Sequence, residues 1–349
     1  MIEHQTLQQH LAEWHGEDDL RRAVAGTVST IADACCAIAE IIALGPLAGK
    51  LGASRGQNVD GDIQAELDLR ANQLLLDELK AAPVACVISE ELNLPDGLDP
   101  AAPLCVAIDP LDGSSNIDTN VSVGTIFSVF PMICQRCDPR RECFVQKGNQ
   151  QLAAGYVIYG PRTALMLTLG AGAHMFTLNP DTGEFCLTAA DVKIPEDTNE
   201  FAINTSNFRR WDGHVRAYVD DCLKGAEGPH GKNYNTRWIA SLVAECHRIM
   251  VRGGIFLYPG DRRPDYQSGR LRLAYECNPI AFLVEQAGGA ASTGHERILD
   301  VQPTDIHGRA PLIFGSRNEV LLLEHYYRET RPYQERPPLF GERGLFRTG

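Results

Sequence analysis

"CVAIDPLDGSSNID", residues 105–118, places two aspartates three positions apart at the end of an apolar run. An apolar run bounded by turn residues is typical of a buried strand, and ligands of mixed α/β sheets bind where strands end. The turn Asp109–Asp112 lets two carboxylates and a carbonyl point at one centre, a set of oxygens that suits Mg²⁺ or Mn²⁺ better than zinc. The segment Gly113–Ser115 adds backbone N–H groups and hydroxyls, which can receive a phosphate at a helix start.

A double glutamate ends the preceding apolar run, "VACVISEE", residues 84–91. Carboxylates from the same ends of neighbouring strands can converge on one point. Either feature alone is also typical of ordinary turn and helix-cap chemistry. The two features together favour a divalent cation held against a phosphate.

The composition of the chain limits which classes of partner it can bind. It has 349 residues, of which 32 are basic and 45 acidic, with a formal net charge of −13. This length is enough for two domains, and the acidic balance argues against a nucleic-acid or anionic-membrane partner. The N-terminus lacks the pattern of a signal peptide, and no stretch approaches the roughly 18 to 20 uninterrupted apolar residues of a spanning helix. Eleven scattered cysteines are then expected to be reduced thiols in the cytoplasm.

Apolar periodicity predicts the elements that carry these motifs. Helices are predicted over residues 20–44 and 62–79. Strands are predicted in the runs 84–91, 104–113, 125–133 and 153–160, and a hairpin over 175–188. A boundary is predicted near residue 195, and the segments 247–261 and 269–289 are predicted as strands followed by a helix. In the second of these segments, alternation would place Arg270, Arg272, Ala274 and Glu276 on one strand face.

A family resemblance rests on several blocks in fixed order. They are "NVDGD" (58–62), "SEE" (89–91), "DPLDGSSNID" (109–118), "GGIFLYP" (253–259), "YECNP" (275–279) and "PTDIHGRAP" (303–311). Together they resemble the class I fructose-1,6-bisphosphatases. The resemblance implies a layered α/β fold of five layers, α-β-α-β-α, and a homotetramer. It also implies an N-terminal metal domain over residues 1–195 and a C-terminal sugar-phosphate domain over 196–349, with a loosely ordered tail from about residue 331.

The resemblance also implies roles for individual residues. Ligands of two or three Mg²⁺ ions, or of Mn²⁺, would be Glu90, Asp109, Asp112, Glu276 and the Leu111 carbonyl. Catalytic acceptors of a water proton would be Glu91 and Asp68, helped by Asp62. The substrate's 1-phosphate would meet Asp112, Gly113, Ser114 and Ser115. Its 6-phosphate would meet Asn204, Tyr258 and a neighbouring subunit's Arg237. Arg270 would offer its charge to phosphate near the metal ligand Glu276.

Three positions depart from the family pattern. Arg270 stands where lysine is usual, and Asn207 and Trp238 stand where tyrosines are common. The chain has "HGEDDL" (15–20) where animal members bind the inhibitor AMP, so little AMP inhibition is expected. Cys134, Cys137 and Cys143 could form a redox pair or be ordinary thiols.

The activity implied is hydrolysis of the 1-phosphate of fructose 1,6-bisphosphate, in gluconeogenesis or the Calvin cycle. An alternative is a sedoheptulose-1,7-bisphosphatase or a dual-specificity enzyme, which would differ only in the pocket for the remote phosphate. A non-enzyme alternative is a sugar-phosphate sensor that keeps the fold. A damaged carboxylate set would mark the sensor, and here the four expected carboxylate ligands and the two expected proton acceptors are all present.

Overall fold

Two larger β-sheets organise the part of the chain that the computed structural model describes, residues 4–57, 63–133 and 143–328. Its α-helices are α1 (Leu7–His15), α2 (Asp19–Leu44), α3 (Glu66–Leu79), α4 (Gly213–Leu223), α5 (Leu242–Arg252), α6 (Asn278–Gln286) and α7 (Arg317–Arg328). Its strands are β1 (Ser54–Gln57), β2 (Ile63–Ala65), β3 (Val84–Ser89), β4 (Asp96–Gly97), β5 (Leu104–Asp112), β6 (Val123–Pro131), β7 (Ala153–Tyr159), β8 (Thr163–Thr168), β9 (His174–Asn179), β10 (Glu184–Ala189), β11 (Glu200–Ile203), β12 (Asn235–Thr236), β13 (Ile255–Tyr258), β14 (Leu271–Arg272), β15 (Ala290–Ser292), β16 (Arg309–Ala310) and β17 (Leu312–Gly315). Asp62, Cys134, Cys137 and the tail from residue 331 lie outside the described residues, so the predictions about them, including any pairing with Cys143, stay predictions.

The larger sheet has eight strands in the order β10-β9-β8-β7-β6-β5-β3-β4. Its neighbouring strands pair antiparallel except for β3 and β5, which run parallel. Strands β3, β5 and β7 are buried along their whole length, as expected for apolar runs that are covered on both faces. The four predicted strands and the predicted hairpin are therefore confirmed.

Helices and sheets alternate in five layers. Helices α1, α2 and α3 pack on one face of the larger sheet. Helices α5 and α6 fill the space between its other face and the five-stranded sheet β12-β11-β13-β17-β15. Helices α4 and α7 cover the outer face of that second sheet. The order is the layered α/β architecture that the resemblance implied.

Helix α2 meets the length and composition of a membrane span over Asp19–Ala48. A core helix of a soluble protein passes the same test, and the side chains of Val28, Ile31 and Ile38 on α2 are fully buried in the core. Its predicted extent is confirmed. The predicted start of the next helix at residue 62 is wrong, because Ile63–Ala65 pairs with β1 as a strand and Asp68 Oδ2 accepts the Ala65 N–H at 2.7 Å, at the start of α3.

The strand predicted over 247–261 is wrong in its first half, where α5 lies. Buried Leu242, Cys246 and Ile249 recur at helical spacing, and the window starting at residue 247 cuts this pattern. The helix ends at Gly253, whose φ of 80° favours glycine and whose N–H bonds the Ile249 carbonyl at 2.8 Å. The strand begins only at Ile255.

The strand face predicted to carry Arg270, Arg272 and Glu276 is also wrong. Strand β14 holds only Leu271 and Arg272, and a buried π-helical turn, Leu273–Cys277, follows directly. Glu276 Oε2 accepts the backbone N–H of Arg272 at 2.6 Å, which satisfies a donor at the start of this turn. Glu276 therefore reaches the site from a helical turn and not from an extended strand.

Candidate functional site

Three buried carboxylates meet at the end of β5. Oxygens of Asp109, Asp112 and Glu276 all lie within 4.8 Å of one another. The two aspartates come from the larger sheet, and Glu276 comes from the π-helical turn that packs on it. The arrangement can hold a metal ion with oxygen ligands alone.

A β-bulge places both aspartates on one side of the strand. Asp109 lies opposite Ile126 and Asp112 lies opposite Gly124. Between these two pairs the chain advances three residues on β5 but only two on β6, so β5 contains one extra residue. Without the extra residue, side chains three positions apart would point to opposite faces. Leu111 lies inside this bulge, and its N–H donates to Asp109 Oδ1 at 3.1 Å.

Contacts around the bulge fix it. The hydroxyl of Thr125 donates to the Pro110 carbonyl at 2.9 Å. Pro110 itself has no N–H that could bond a neighbouring strand. Gly124 lets helix α5 approach closely, since an added Cβ would lie 2.6 Å from a methyl of Val243. Oδ2 of Asp112 in turn accepts the Val243 N–H at 2.9 Å and the Ser241 hydroxyl at 3.2 Å.

Glu90 directly follows the parallel neighbour strand β3 and lies outside the group of three carboxylates within 4.8 Å. Its N–H donates to the Ile108 carbonyl at 3.2 Å, which sets it beside Asp109 at the end of β5. Oε1 of Glu90 lies 3.5 Å from a guanidinium nitrogen of Arg272. The ends of β3 and β5 therefore lie side by side, and the charge of Glu90 acts on Asp109.

Glu91 and Asp68 are two further acids near the carboxylate cluster. The Gln64 side-chain amide donates to Glu91 Oε2, and the Glu91 N–H donates to the Ser89 hydroxyl at 3.2 Å. Burial raises the pKa of Asp68 to about 7, and the charges of Glu91 and Glu90 contribute to this shift. Among the described residues, Asp68 Oδ1 is buried and has no hydrogen-bond partner.

Burial and mutual repulsion also shift the first cluster. Burial raises the pKa of Asp109 well above its usual range, and the charges of Glu90, Asp112 and Glu276 add to the rise. Burial raises the pKa of Asp112 to about 6. Burial and then the charge of Glu90 raise the pKa of Glu276 to about 8, against the opposing charge of Arg272. A bound divalent cation would reverse these shifts, because it favours the ionised carboxylates.

The turn after Asp112 continues into a short 3₁₀-helix, Ser114–Thr119, which contains both Ser114 and Ser115. Gly113 has a φ of 78°, the left-handed conformation that glycine adopts without strain. The Asn116 amide donates to the Ala240 carbonyl at 2.9 Å and so ties this turn to the segment before α5.

A second pocket brings two of the residues predicted for the remote phosphate together with Arg270. Asn204, Tyr258 and Arg270 line it, with Asn207 and Asp261. The Arg270 guanidinium lies 6.0 Å from the centre of the Tyr258 ring. Burial raises the pKa of the Tyr258 phenol, and the charge of Glu276 adds to the rise, whereas the charge of Arg270 opposes it.

Arg237 does not line this pocket within the same chain. It lies just before α5, with Nε 3.5 Å from Oε1 of Glu200, and its side chain is 47% exposed. The predicted role in a neighbouring subunit stays a prediction.

Sequence reasoning missed several residues that shape the site. Val243 and Ser241 bind Asp112 from α5, Gln64 binds Glu91, and Asp261 lines the second pocket. The "DRR" run at 261–263, a carboxylate followed by two arginines just after a strand, was the one local signal for Asp261. The other contacts depend on long-range packing.

The chain is similar to known proteins over nearly its whole length. The family model "Fructose-1-6-bisphosphatase, N-terminal domain" matches residues 4–190, and "Fructose-1-6-bisphosphatase, C-terminal domain" matches residues 194–328. The chain is 54% identical over 345 residues to a class 1 fructose-1,6-bisphosphatase of Nitrobacter hamburgensis, covering 98% of each chain. It is 54% identical to that of Nitrobacter vulgaris, covering 99% of this chain and 100% of the relative. The crystal structure of Leishmania major fructose-1,6-bisphosphatase in holo form matches with a TM-score of 0.87 and 33% identity, over 94% of this chain and 100% of the other.

Proposed function

The chain belongs to the class 1 fructose-1,6-bisphosphatase family, and we propose that it hydrolyses fructose 1,6-bisphosphate to fructose 6-phosphate and phosphate. The observation that supports this most directly is the convergence of Asp109, Asp112 and Glu276 within 4.8 Å. A second pocket offers amide, phenol and guanidinium groups, and Arg270 of its lining lies six positions before Glu276 in the chain. Such a pair of sites suits a sugar with a phosphate at each end.

The donor set fits hard divalent cations. Carboxylate oxygens predominate among the possible ligands. The pKa values of Asp109 and Glu276 are raised, so a nearby cation would stabilise their ionised forms. Asp68 Oδ1 is buried and has no hydrogen-bond partner among the described residues. The proposed ligands of two or three Mg²⁺ ions, with Mn²⁺ as the alternative, are Glu90, Asp109, Asp112, Glu276 and the Leu111 carbonyl. When bound, such ions offset the charge of the phosphate and make water more acidic.

Glu91 and Asp68 are the proposed acceptors of the proton of the attacking water, with Asp62 as a third acid. A carboxylate with a pKa of about 7 can accept a proton near neutral pH, and such help is typically worth roughly 10² to 10⁴ in rate. The Gln64 amide orients the Glu91 carboxylate for this role. The water then attacks phosphorus directly, and the sugar oxygen leaves without a covalent enzyme intermediate.

Substrate binding is proposed at both ends of the sugar. Asp112, Gly113, Ser114 and Ser115 would hold the 1-phosphate, and Asn204, Tyr258 and Arg270 the 6-phosphate. Arg237 would come from a neighbouring subunit, which makes a homotetramer part of the proposal. The division into domains 1–195 and 196–349, a cytoplasmic location, and a place in gluconeogenesis or the Calvin cycle belong to it as well.

Phosphate release from fructose 1,6-bisphosphate, with and without Mg²⁺, tests the proposal. We expect turnover that requires the metal, and a kcat that falls in Glu91→Gln by about 10²-fold or more with little change in KM. Glu40→Gln, at an exposed carboxylate of α2, is the matched control and should keep the wild-type kcat.

Three results would count against the proposal. Turnover without any divalent cation would remove the metal from the mechanism. An unchanged kcat in Glu91→Gln would remove that residue from it. A higher kcat/KM for sedoheptulose 1,7-bisphosphate than for fructose 1,6-bisphosphate would replace the proposed substrate.

A further inference from the structure

The pocket for the remote phosphate contains a carboxylate. Asp261 lines it together with Asn204, Tyr258 and Arg270, and the Asp261 side chain is only 6% exposed. A shielded carboxylate repels an incoming phosphate more strongly than an exposed one does, because water screens it less. The pocket therefore needs a counter-charge at this position before it can receive an anion.

Arg263 supplies that counter-charge. Its Nε lies 2.9 Å from both carboxylate oxygens of Asp261, and a terminal nitrogen of the guanidinium bonds Oδ2 as well. The backbone N–H of Arg263 donates to Oδ1 at 2.9 Å. These bonds hold the pKa of Asp261 below its usual range, so the carboxylate is ionised and paired near neutral pH.

One tyrosine connects this ion pair to Arg270. The guanidinium carbons of Arg263 and Arg270 lie 4.3 Å and 4.5 Å from the centre of the Tyr266 ring, within cation–π range of the same side chain. Arg263 also reaches Oδ1 of Asn207 at 3.5 Å. Asp261, Arg263, Tyr266 and Arg270 thus form one connected group, of which Asp261 and Arg270 line the pocket.

We propose that Arg263 is a specificity-determining residue for sugars that carry a terminal phosphate, because it cancels the charge of Asp261 and leaves the charge of Arg270 available to the phosphate. The proposal rests on the proposed function and assigns a new residue to the same site. Arg263 acts through Asp261 and the pocket wall, so it affects the remote end of the substrate and not the reacting phosphate.

Steady-state kinetics on two substrates test this role. For Arg263→Met we expect the KM for fructose 1,6-bisphosphate to rise about tenfold, the consequence of an unpaired carboxylate in the pocket, with kcat unchanged. The KM for fructose 1-phosphate, which lacks the remote phosphate, should change less than about twofold by the same reasoning. Arg262→Met is the matched control, because it removes an exposed neighbouring arginine and should leave both KM values near wild type.

Removal of the carboxylate should reverse the effect. Asp261→Asn alone should not raise the KM for the bisphosphate. The double variant Asp261→Asn/Arg263→Met should have a KM within about threefold of wild type. The reason is the same for both variants: neither contains an unpaired carboxylate in the pocket. Thermal unfolding of each variant shows that the kinetics report on folded protein.

The outcomes separate the two proposals. A wild-type enzyme that fails to hydrolyse fructose 1,6-bisphosphate overturns the proposed function. A wild-type enzyme that does hydrolyse it, with an Arg263→Met variant that raises both KM values equally or neither, overturns the role of Arg263 alone. An equal effect of Arg262→Met would reduce the role to general surface charge and also contradict it.

Discussion

The carboxylate of Asp112 accepts a hydrogen bond from the backbone N–H of Val243, with 2.9 Å between Oδ2 and the nitrogen. Asp112 ends a strand of the larger sheet, and Val243 lies in the first turn of α5, 131 positions along the chain. The N-terminus of a helix carries partial positive charge, which favours an ionised carboxylate. One proposed metal ligand is therefore oriented and stabilised by a helix from the C-terminal half.

Ser241→Ala should weaken both the helix and the site. The Ser241 hydroxyl caps α5 by accepting the Ala244 N–H, and it donates to Asp112 at 3.2 Å. Loss of a cap typically lowers the free energy of unfolding by about 1 kcal/mol. We expect kcat/KM to fall as well, because Asp112 loses a donor that fixes its orientation. Denaturant unfolding and steady-state kinetics measure the two effects.

Asp18→Ala is the control for that variant. Asp18 caps α2 by accepting the Arg21 N–H at 2.8 Å, far along the chain from the carboxylate cluster. It should lose a similar free energy of unfolding, about 1 kcal/mol, and keep the wild-type kcat. If Ser241→Ala behaves like Asp18→Ala in both measurements, the bond to Asp112 has no catalytic consequence.

Gly124→Ala should be strongly destabilising. A Cβ at Gly124 would lie 2.4 Å from the Val157 carbonyl oxygen as well as against Val243, so β7 or α5 must move. Overpacking of this kind costs typically 1–3 kcal/mol. Movement of α5 would also shift the donors of Asp112, so activity should fall with stability.

Gly26→Ala provides the opposite expectation within the same protein. Gly26 lies inside α2, and nothing lies within 4 Å of an added Cβ there. Alanine favours the helix interior by about 0.5 to 1 kcal/mol, so thermal unfolding should move to higher temperature with unchanged activity. A stable, active Gly124→Ala enzyme would show that the close approach of α5 is not required.

The sequence predicts the acids of the site better than it predicts their geometry. Glu90, Asp109 and Asp112 stand at the ends of apolar runs, where local pattern and residue type are informative. The bulge that turns Asp109 and Asp112 to one side depends on the pairing register with β6. Glu276 was placed on a strand because alternation in a short stretch imitates one, whereas packing makes this stretch a π-helical turn.

The order of the helix and sheet layers can be predicted from the family resemblance but not from the apolar periodicity of the sequence. Apolar runs identify buried strands such as β3 and β5, but they do not say which strands are neighbours or run parallel. The helical spacing of α5 begins at Leu242, whereas the apolar run that predicts a strand begins only at residue 247. The contacts of Gln64 with Glu91 and of Ser241 with Asp112 join distant parts of the chain, and local pattern contains no signal for them.

AMP should inhibit this enzyme weakly. The start of α2 carries Asp18, which caps the helix, and Asp19, which pairs with Arg22 at 2.6 Å. Both carboxylates at this helix start repel an anionic nucleotide, and Asp18 also occupies the Arg21 N–H, a donor that could otherwise bind it. We expect kcat/KM for fructose 1,6-bisphosphate to change less than about twofold at AMP concentrations that saturate typical nucleotide sites. Strong inhibition that is lost on substitution within residues 15–20 would contradict this.

Removal of divalent metal should destabilise the protein most at alkaline pH. Burial raises the pKa values of Asp112, Asp68 and Glu276 to about 6, 7 and 8, above the roughly 4 of unfolded carboxyls. For a raised pKa, the stabilising contribution is complete below the unfolded value and is lost as the pH rises through the folded value. The metal-free protein should therefore lose stability between about pH 4 and pH 8 on account of these groups.

Mg²⁺ should restore that stability, and restore more of it at higher pH, because the cation binds ionised carboxylates. Thermal unfolding at pH 6 and pH 8, in EDTA or in saturating Mg²⁺, measures the effect. We expect Mg²⁺ to raise Tm on the order of 5 °C at pH 8 and less at pH 6. Asp109→Asn should shrink the difference at pH 8, because it removes a proposed ligand. Equal shifts at both pH values, or none, would show that these carboxylates do not share a cation.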